Sequence, residues 1–125
     1  MTNAAAQTTD DMIRQYVTER RQARISWELS ALNIIGNNPT IDNILESVHD
    51  SNADARIMAI QILGYCAETY DPRQKAYIAG EVAKRINDMH ANSVGSFQCD
   101  EEDFETVAGA AKETLKRLGY MQRQG

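Results

Sequence analysis

Ala53-Asp54-Ala55-Arg56-Ile57-Met58-Ala59-Ile60-Gln61-Ile62-Leu63-Gly64-Tyr65-Cys66-Ala67-Glu68-Thr69-Tyr70 is the stretch that decides the fold. Ile57, Met58, Ile60, Ile62, Leu63, Cys66 and Ala67 cover most of a helical circumference. Asp54, Gln61 and Glu68, seven residues apart, leave only a narrow polar edge. A helix that is apolar nearly all round is surrounded by other elements. No alternation with a period of two runs through it, so a strand is not indicated. The segment predicts a central helix over 53–70, started by Ser51-Asn52, with the rest of the chain wrapped around it.

The flanking segments supply the cover. Upstream, Thr40 is placed to cap a short helix in which Ile41, Ile44, Leu45 and Val48 recur at helical spacing. That helix should end near His49-Asp50. Before it, Gly36-Asn37-Asn38-Pro39 is a strong stop. The stretch from Thr9-Asp10-Asp11 to about Gly36 reads as one helix whose halves differ. Its first half carries a single stripe, Ile13, Tyr16 and Val17, among charges, and is expected to project or lie along the surface. Its second half sets Trp27, Ala31, Ile34 and Ile35 against Ile25, Leu29 and Leu32, which predicts cover on two sides. Downstream, Asp71-Pro72 is a cap followed by proline at the first helical position. The helix it opens should bury Ala79, Val82, Ala83, Ile86 and Met89. Residues 91–99 lack any period. Asp100, with Asp103 three residues on, is then expected to cap a last helix whose stripe is Phe104, Val107, Ala108, Ala111, Leu115 and Leu118, ended by Gly119. The fold class expected is all-α: a compact bundle of about five helices with a helical hairpin at its centre. Residues 1–8 are expected to be a disordered tail, 9–120 a single helical domain and 121–125 a short flexible tail.

Composition narrows the class. The 125 residues are 42% hydrophobic and 25% charged, ordinary values for one globular domain. No run approaches the length that spans a bilayer, and residues 1–7 have neither a basic nor an apolar signal region. Two cysteines, Cys66 in an apolar helix and Cys99 in a polar connection, make no framework. A reduced, cytoplasmic protein without membrane contact is the expectation. The net charge of −5 weighs against non-specific nucleic-acid binding, which rests on phosphate neutralisation.

One stretch has a recognisable pattern. Residues 44–67 carry an apolar first helix, Asp50 in the turn, Arg56 six residues later, then Ala59, Leu63 and Gly64. In this they resemble one unit of a HEAT-type helical repeat. Without a second copy at a fixed period, the match describes a packed hairpin rather than an array. The resemblance implies a protein-binding scaffold.

The candidate site residues are cationic. Arg14, Arg20, Arg21 and Arg24 form a stripe whose planar forks suit carboxylates or phosphates. The plainer alternative is a solvated face with internal pairs, Asp10 with Arg14 and Arg24 with Glu28. Val94 and Phe97, apolar residues in the aperiodic connection, are candidate docking anchors or a plug over the core. The acidic block at Asp100, Glu101, Glu102, Asp103 and Glu105 is accounted for by helix capping and the dipole. Glu46-x-x-His49 has the spacing used by di-iron bundles, but no second pair accompanies it. His90 and Cys99 lack an orienting third group. No catalytic residue, metal ligand or cofactor is assigned. The expected function is therefore a non-catalytic helical protein–protein interaction module: a subunit, adaptor or inhibitor that works by burying surface against another protein or against a second copy of itself. The alternatives are a nucleic-acid-associated protein using the Arg14–Arg24 stripe and, third, a small metal-dependent helical enzyme.

Overall fold

The computed structural model describes residues 8–92 and 106–121. Among the described residues the chain is all-α. Its helices are α1 (Thr9–Ala23), α2 (Ser26–Ile35), α3 (Ile41–Ser47), α4 (Ala53–Tyr65), α5 (Pro72–Ala83) and α6 (Val107–Arg117), with a 3-10 turn at Ala67–Thr69. An isolated antiparallel bridge joins Ala91 to Thr106.

The central helix is α4. From Ala55 to Gly64 every residue but Gln61 is buried, and α2, α3 and α6 all pack on it. Its start follows from Asn52, whose side chain accepts from the Ala55 N–H at 3.2 Å. Its end tightens into the 3-10 turn, and Tyr70 beyond it folds back to donate its hydroxyl to the Leu63 carbonyl at 2.7 Å. Thr40 caps α3 through a reciprocal box with Asn43, and Asp71 caps α5 by accepting from the Gln74 N–H at 2.8 Å. Asp10, in the first turn of α1, accepts from the Ile41 N–H at 3.0 Å and so ties the starts of α1 and α3 together.

Three sequence expectations need correction. First, the long N-terminal helix is two helices. Arg24 adopts a left-handed conformation (φ 56°) between them, and α2 turns back along α1. The first of the two is not peripheral, because Ile13 and Val17 are fully buried. On α2 the buried face is a single broad one, Trp27, Glu28, Ala31, Leu32 and Ile35, while Ile34 stays 44% exposed. The helix is therefore not covered on two opposite sides. Second, α5 ends at Ala83. The chain then tightens through Lys84, Arg85 and Ile86, whose N–H groups donate to carbonyls three residues back, and this leaves Met89 70% exposed. Third, α6 begins at Val107 with Thr106 as its cap, not at Asp100. Asp100, Phe104 and Cys99 lie outside the described residues.

Cys66 is fully buried, and burial pushes its thiol up to about 11. The thiol should therefore stay unmodified by iodoacetamide at pH 8 in native protein and react once guanidinium is added. Peptide mass spectrometry reads the two states. Rapid native labelling at this position would contradict the packing of α4.

Candidate partner-binding site

The break between α1 and α2 positions the arginines. No glycine, proline or asparagine marks it; the chain reads Ala23-Arg24-Ile25. A left-handed residue with a Cβ costs about 1 kcal/mol or more, and contacts across the corner offset it. Arg20 donates Nε to Glu28 Oε1 at 2.8 Å and Nη2 to Oε2 at 2.9 Å, a two-pronged pair with the Glu28 residue only 7% exposed. That hydrogen-bonded carboxylate holds the Arg20 pKa above its ordinary value. Arg21 donates Nη2 to the Leu32 carbonyl at 3.2 Å. In one continuous helix those two residues would stand roughly 16 Å apart along the axis. The contact exists because the chain folds back.

The four arginines thus separate into different roles. Arg14 pairs with Asp11 at 2.6 Å on the exposed face of α1, rather than with Asp10. Arg20 is a structural clasp between α1 and α2. Arg21 is half-buried, and among the described residues only its Nη2 has a hydrogen-bond partner. Arg24 is exposed, and its side chain meets no partner among the described residues, Glu28 being committed to Arg20. Arg21 and Arg24 share a cleft of about 550 Å³ with Thr18, Gln22, Asn37 and Asn38, over the edge of Val17. None of its lining residues is acidic. Gly36, at φ 96°, delivers Asn37 and Asn38 to this cleft from the end of α2, so a residue of positive φ stands at each of its walls. In the sequence Asn37-Asn38 reads as helix-stopping punctuation alone. The available signal was a second carboxamide where one suffices to stop a helix. Val94 and Phe97 lie outside the described residues.

A second polar cluster joins the start of α4, the turn after α5 and the start of α6. Arg56 sits with its Nε 3.0 Å from Asp88 Oδ2, an ion pair too far off-line for a hydrogen bond, with both side chains under 10% exposed. Its Nη1 donates to the Asp50 carbonyl at 2.7 Å, and its Nη2 lies 3.0 Å from His90 Nδ1. Burial works to raise the Asp88 pKa, but hydrogen bonds from His90 and the Arg56 charge outweigh it and hold the carboxyl below its ordinary range. The Asp88 and His90 carbonyls then accept from the Ala108 and Val107 N–H groups, at 2.7 and 2.9 Å. The cluster is thus a tether for the first turn of α6. His49 uses its two ring nitrogens on Glu81 (2.8 Å) and Arg85 (3.2 Å), which accounts for it without Glu46. Among the described residues no group of three or more histidines, cysteines and acids is placed to hold a metal, and no helix is long and apolar enough to cross a membrane.

A third feature is a cleft of about 430 Å³ where α1, α2, α4 and α6 meet. Tyr16 and Tyr65, ring centroids 4.7 Å apart, form one wall, and the Arg20–Glu28 clasp lies beneath. Its charged groups are paired to each other, Arg20 with Glu28 and Arg117 with Glu113 at 3.6 Å. By contrast, Arg21 and Arg24 at the α1–α2 corner have no acidic partner among the described residues. No protein-family model, curated protein sequence or solved structure matches this chain.

Proposed function

We propose that this chain is a non-catalytic helical interaction module that takes an anionic segment of a partner protein into the α1–α2 corner. One observation carries the reading. Arg24 is held in a left-handed turn with its guanidinium exposed and, among the described residues, unpaired, beside Arg21 and two carboxamides in a cleft whose described lining holds no acid. Strained backbone held by its surroundings clusters where proteins bind, and arginine is enriched at interface hot spots. The likeness of residues 44–67 to a HEAT-type unit supports the same class of function, since such units serve as protein-binding scaffolds. Nucleic acid would use the same guanidinium groups, but the chain's charge of −5 opposes its approach.

Arg24 is the residue to vary, because changing its side chain breaks no hydrogen bond or ion pair among the described residues. Wild type and Arg24→Glu are used as paired baits in native extract, with captured proteins quantified by mass spectrometry. The variant is expected to keep the wild-type melting temperature within a degree or two and to lose at least tenfold of one captured protein. Identical captured sets would refute the reading. A gel shift with DNA or RNA that falls steeply with salt, and vanishes in the variant, would replace it with the nucleic-acid one.

A further inference from the structure

Resting on the reading above, we infer that the anion seated between Arg21 and Arg24 is a phosphate monoester carried by the partner, a phosphorylated side chain rather than a carboxylate. The molecule itself supplies the comparison. Arg20 and Glu28 show how one carboxylate sits on a single guanidinium here, with Nε on one oxygen and Nη2 on the other. A carboxylate docked at Arg24 in that manner would offer Arg21, Asn37 and Asn38 together only one negative charge and one remaining lone pair on each of its two oxygens. A phosphate monoester has three terminal oxygens and carries nearly two negative charges at neutral pH. It can accept from both forks and the carboxamides together.

Electrostatics point the same way. Arg21 and Arg24 are three residues apart and share one cleft, and like charges at that spacing repel. Among the described residues, Arg20 and Arg14 each have an acid within 3 Å, whereas neither Arg21 nor Arg24 does. A dianion supplies the missing charge for both at once. Arg21 is also steadied before binding by the Leu32 carbonyl, and a preset guanidinium loses less side-chain freedom on capture than a mobile one.

The test uses the full chain, ¹⁵N-labelled, titrated with O-phosphoserine, inorganic phosphate, acetate and oligothymidylate while backbone and side-chain signals are followed. Phosphoserine and phosphate are expected to move Arg21, Arg24, Asn37 and Asn38 saturably, at least tenfold tighter than acetate. Exposed Arg73 on α5 should stay still. Because the monoester gains its second charge near pH 6, binding should strengthen several-fold from pH 5 to pH 7.5. Arg24→Ala should weaken it at least tenfold, and Arg24→Lys only in part. Acetate binding as tightly as phosphate would overturn the inference while leaving an anionic protein partner standing. So would oligothymidylate binding more tightly than phosphoserine, or signals that move equally in the Arg24→Ala variant. Loss of one captured protein in Arg24→Glu without any phosphate response would separate failure here from failure of the interaction reading.

Discussion

Arg56→Ala is expected to destabilise the fold by about 3 kcal/mol, read by chemical denaturation at pH 7. The side chain contributes three contacts in one place: the Asp50 carbonyl, His90 and the Asp88 carboxylate. Among the described residues, truncation leaves Asp88 buried with Arg85, at 3.4 Å, and the exposed His90 beside it. The larger part of the loss is therefore the penalty on the charge left behind, not the worth of the pair. For that reason Arg56→Met combined with Asp88→Asn should recover at least half of the deficit, and an additive double variant would show that the pair does not act as a unit. The same carboxylate sets a pH dependence. Its folded pKa lies below the ordinary 3.8, so its stabilisation is present above that value and is lost as the pH falls through the lower folded one. Asp88→Asn should flatten the stability curve in that acid range.

The second large effect is at Gly64, where α4 meets α6. A Cβ there would stand 2.8 Å from Thr114 Oγ1 and 3.4 Å from Thr114 Cβ and Arg117 Cδ. Thr114 is not free to yield, because its hydroxyl donates to the Ile60 carbonyl at 3.0 Å. Gly64→Ala should cost about 1–3 kcal/mol through overpacking, despite the helix-favouring exchange. In a Thr114→Ala background the same change should cost clearly less, since the clashing oxygen is gone. Equal costs in both backgrounds would show that α6 is not held against α4 at this point.

How far the sequence revealed these features depended on the range of the forces involved. Caps are local, and Thr40, Asn52 and Asp71-Pro72 were readable because a side chain satisfies a backbone N–H three residues away. The α4 core was readable because burial on all sides leaves only Gln61 and the helix ends polar. The break at Arg24 was not readable. Ala23-Arg24-Ile25 has no turn residue, and Ile13, Val17, Trp27, Ala31 and Ile35 keep a common phase through it, so a straight helix accounts for the pattern equally well. Only the contacts across the corner, Arg20 to Glu28 and Arg21 to Leu32, show the fold-back. The same fold-back hides the candidate site. As a stripe the four arginines look equivalent; the corner is what makes Arg20 a clasp and leaves Arg24 beside Asn37 and Asn38, while Arg14 pairs with Asp11 within α1. The Arg56 tether escaped notice for a related reason: its Asp88 partner is 32 positions away and lies in a turn that the apolar spacing of Ile86 and Met89 had assigned to a helix.

The central claim is that binding happens at the α1–α2 corner and not elsewhere on the surface. A photo-crosslinking amino acid at Asn38 tests it most directly, with the same residue at Tyr77, exposed on α5, as the distant control. The account predicts one crosslinked protein at position 38, absent when Arg24→Glu is added, and none at position 77. Crosslinking at 77 alone, or a product at 38 that survives the Arg24→Glu change, would contradict it.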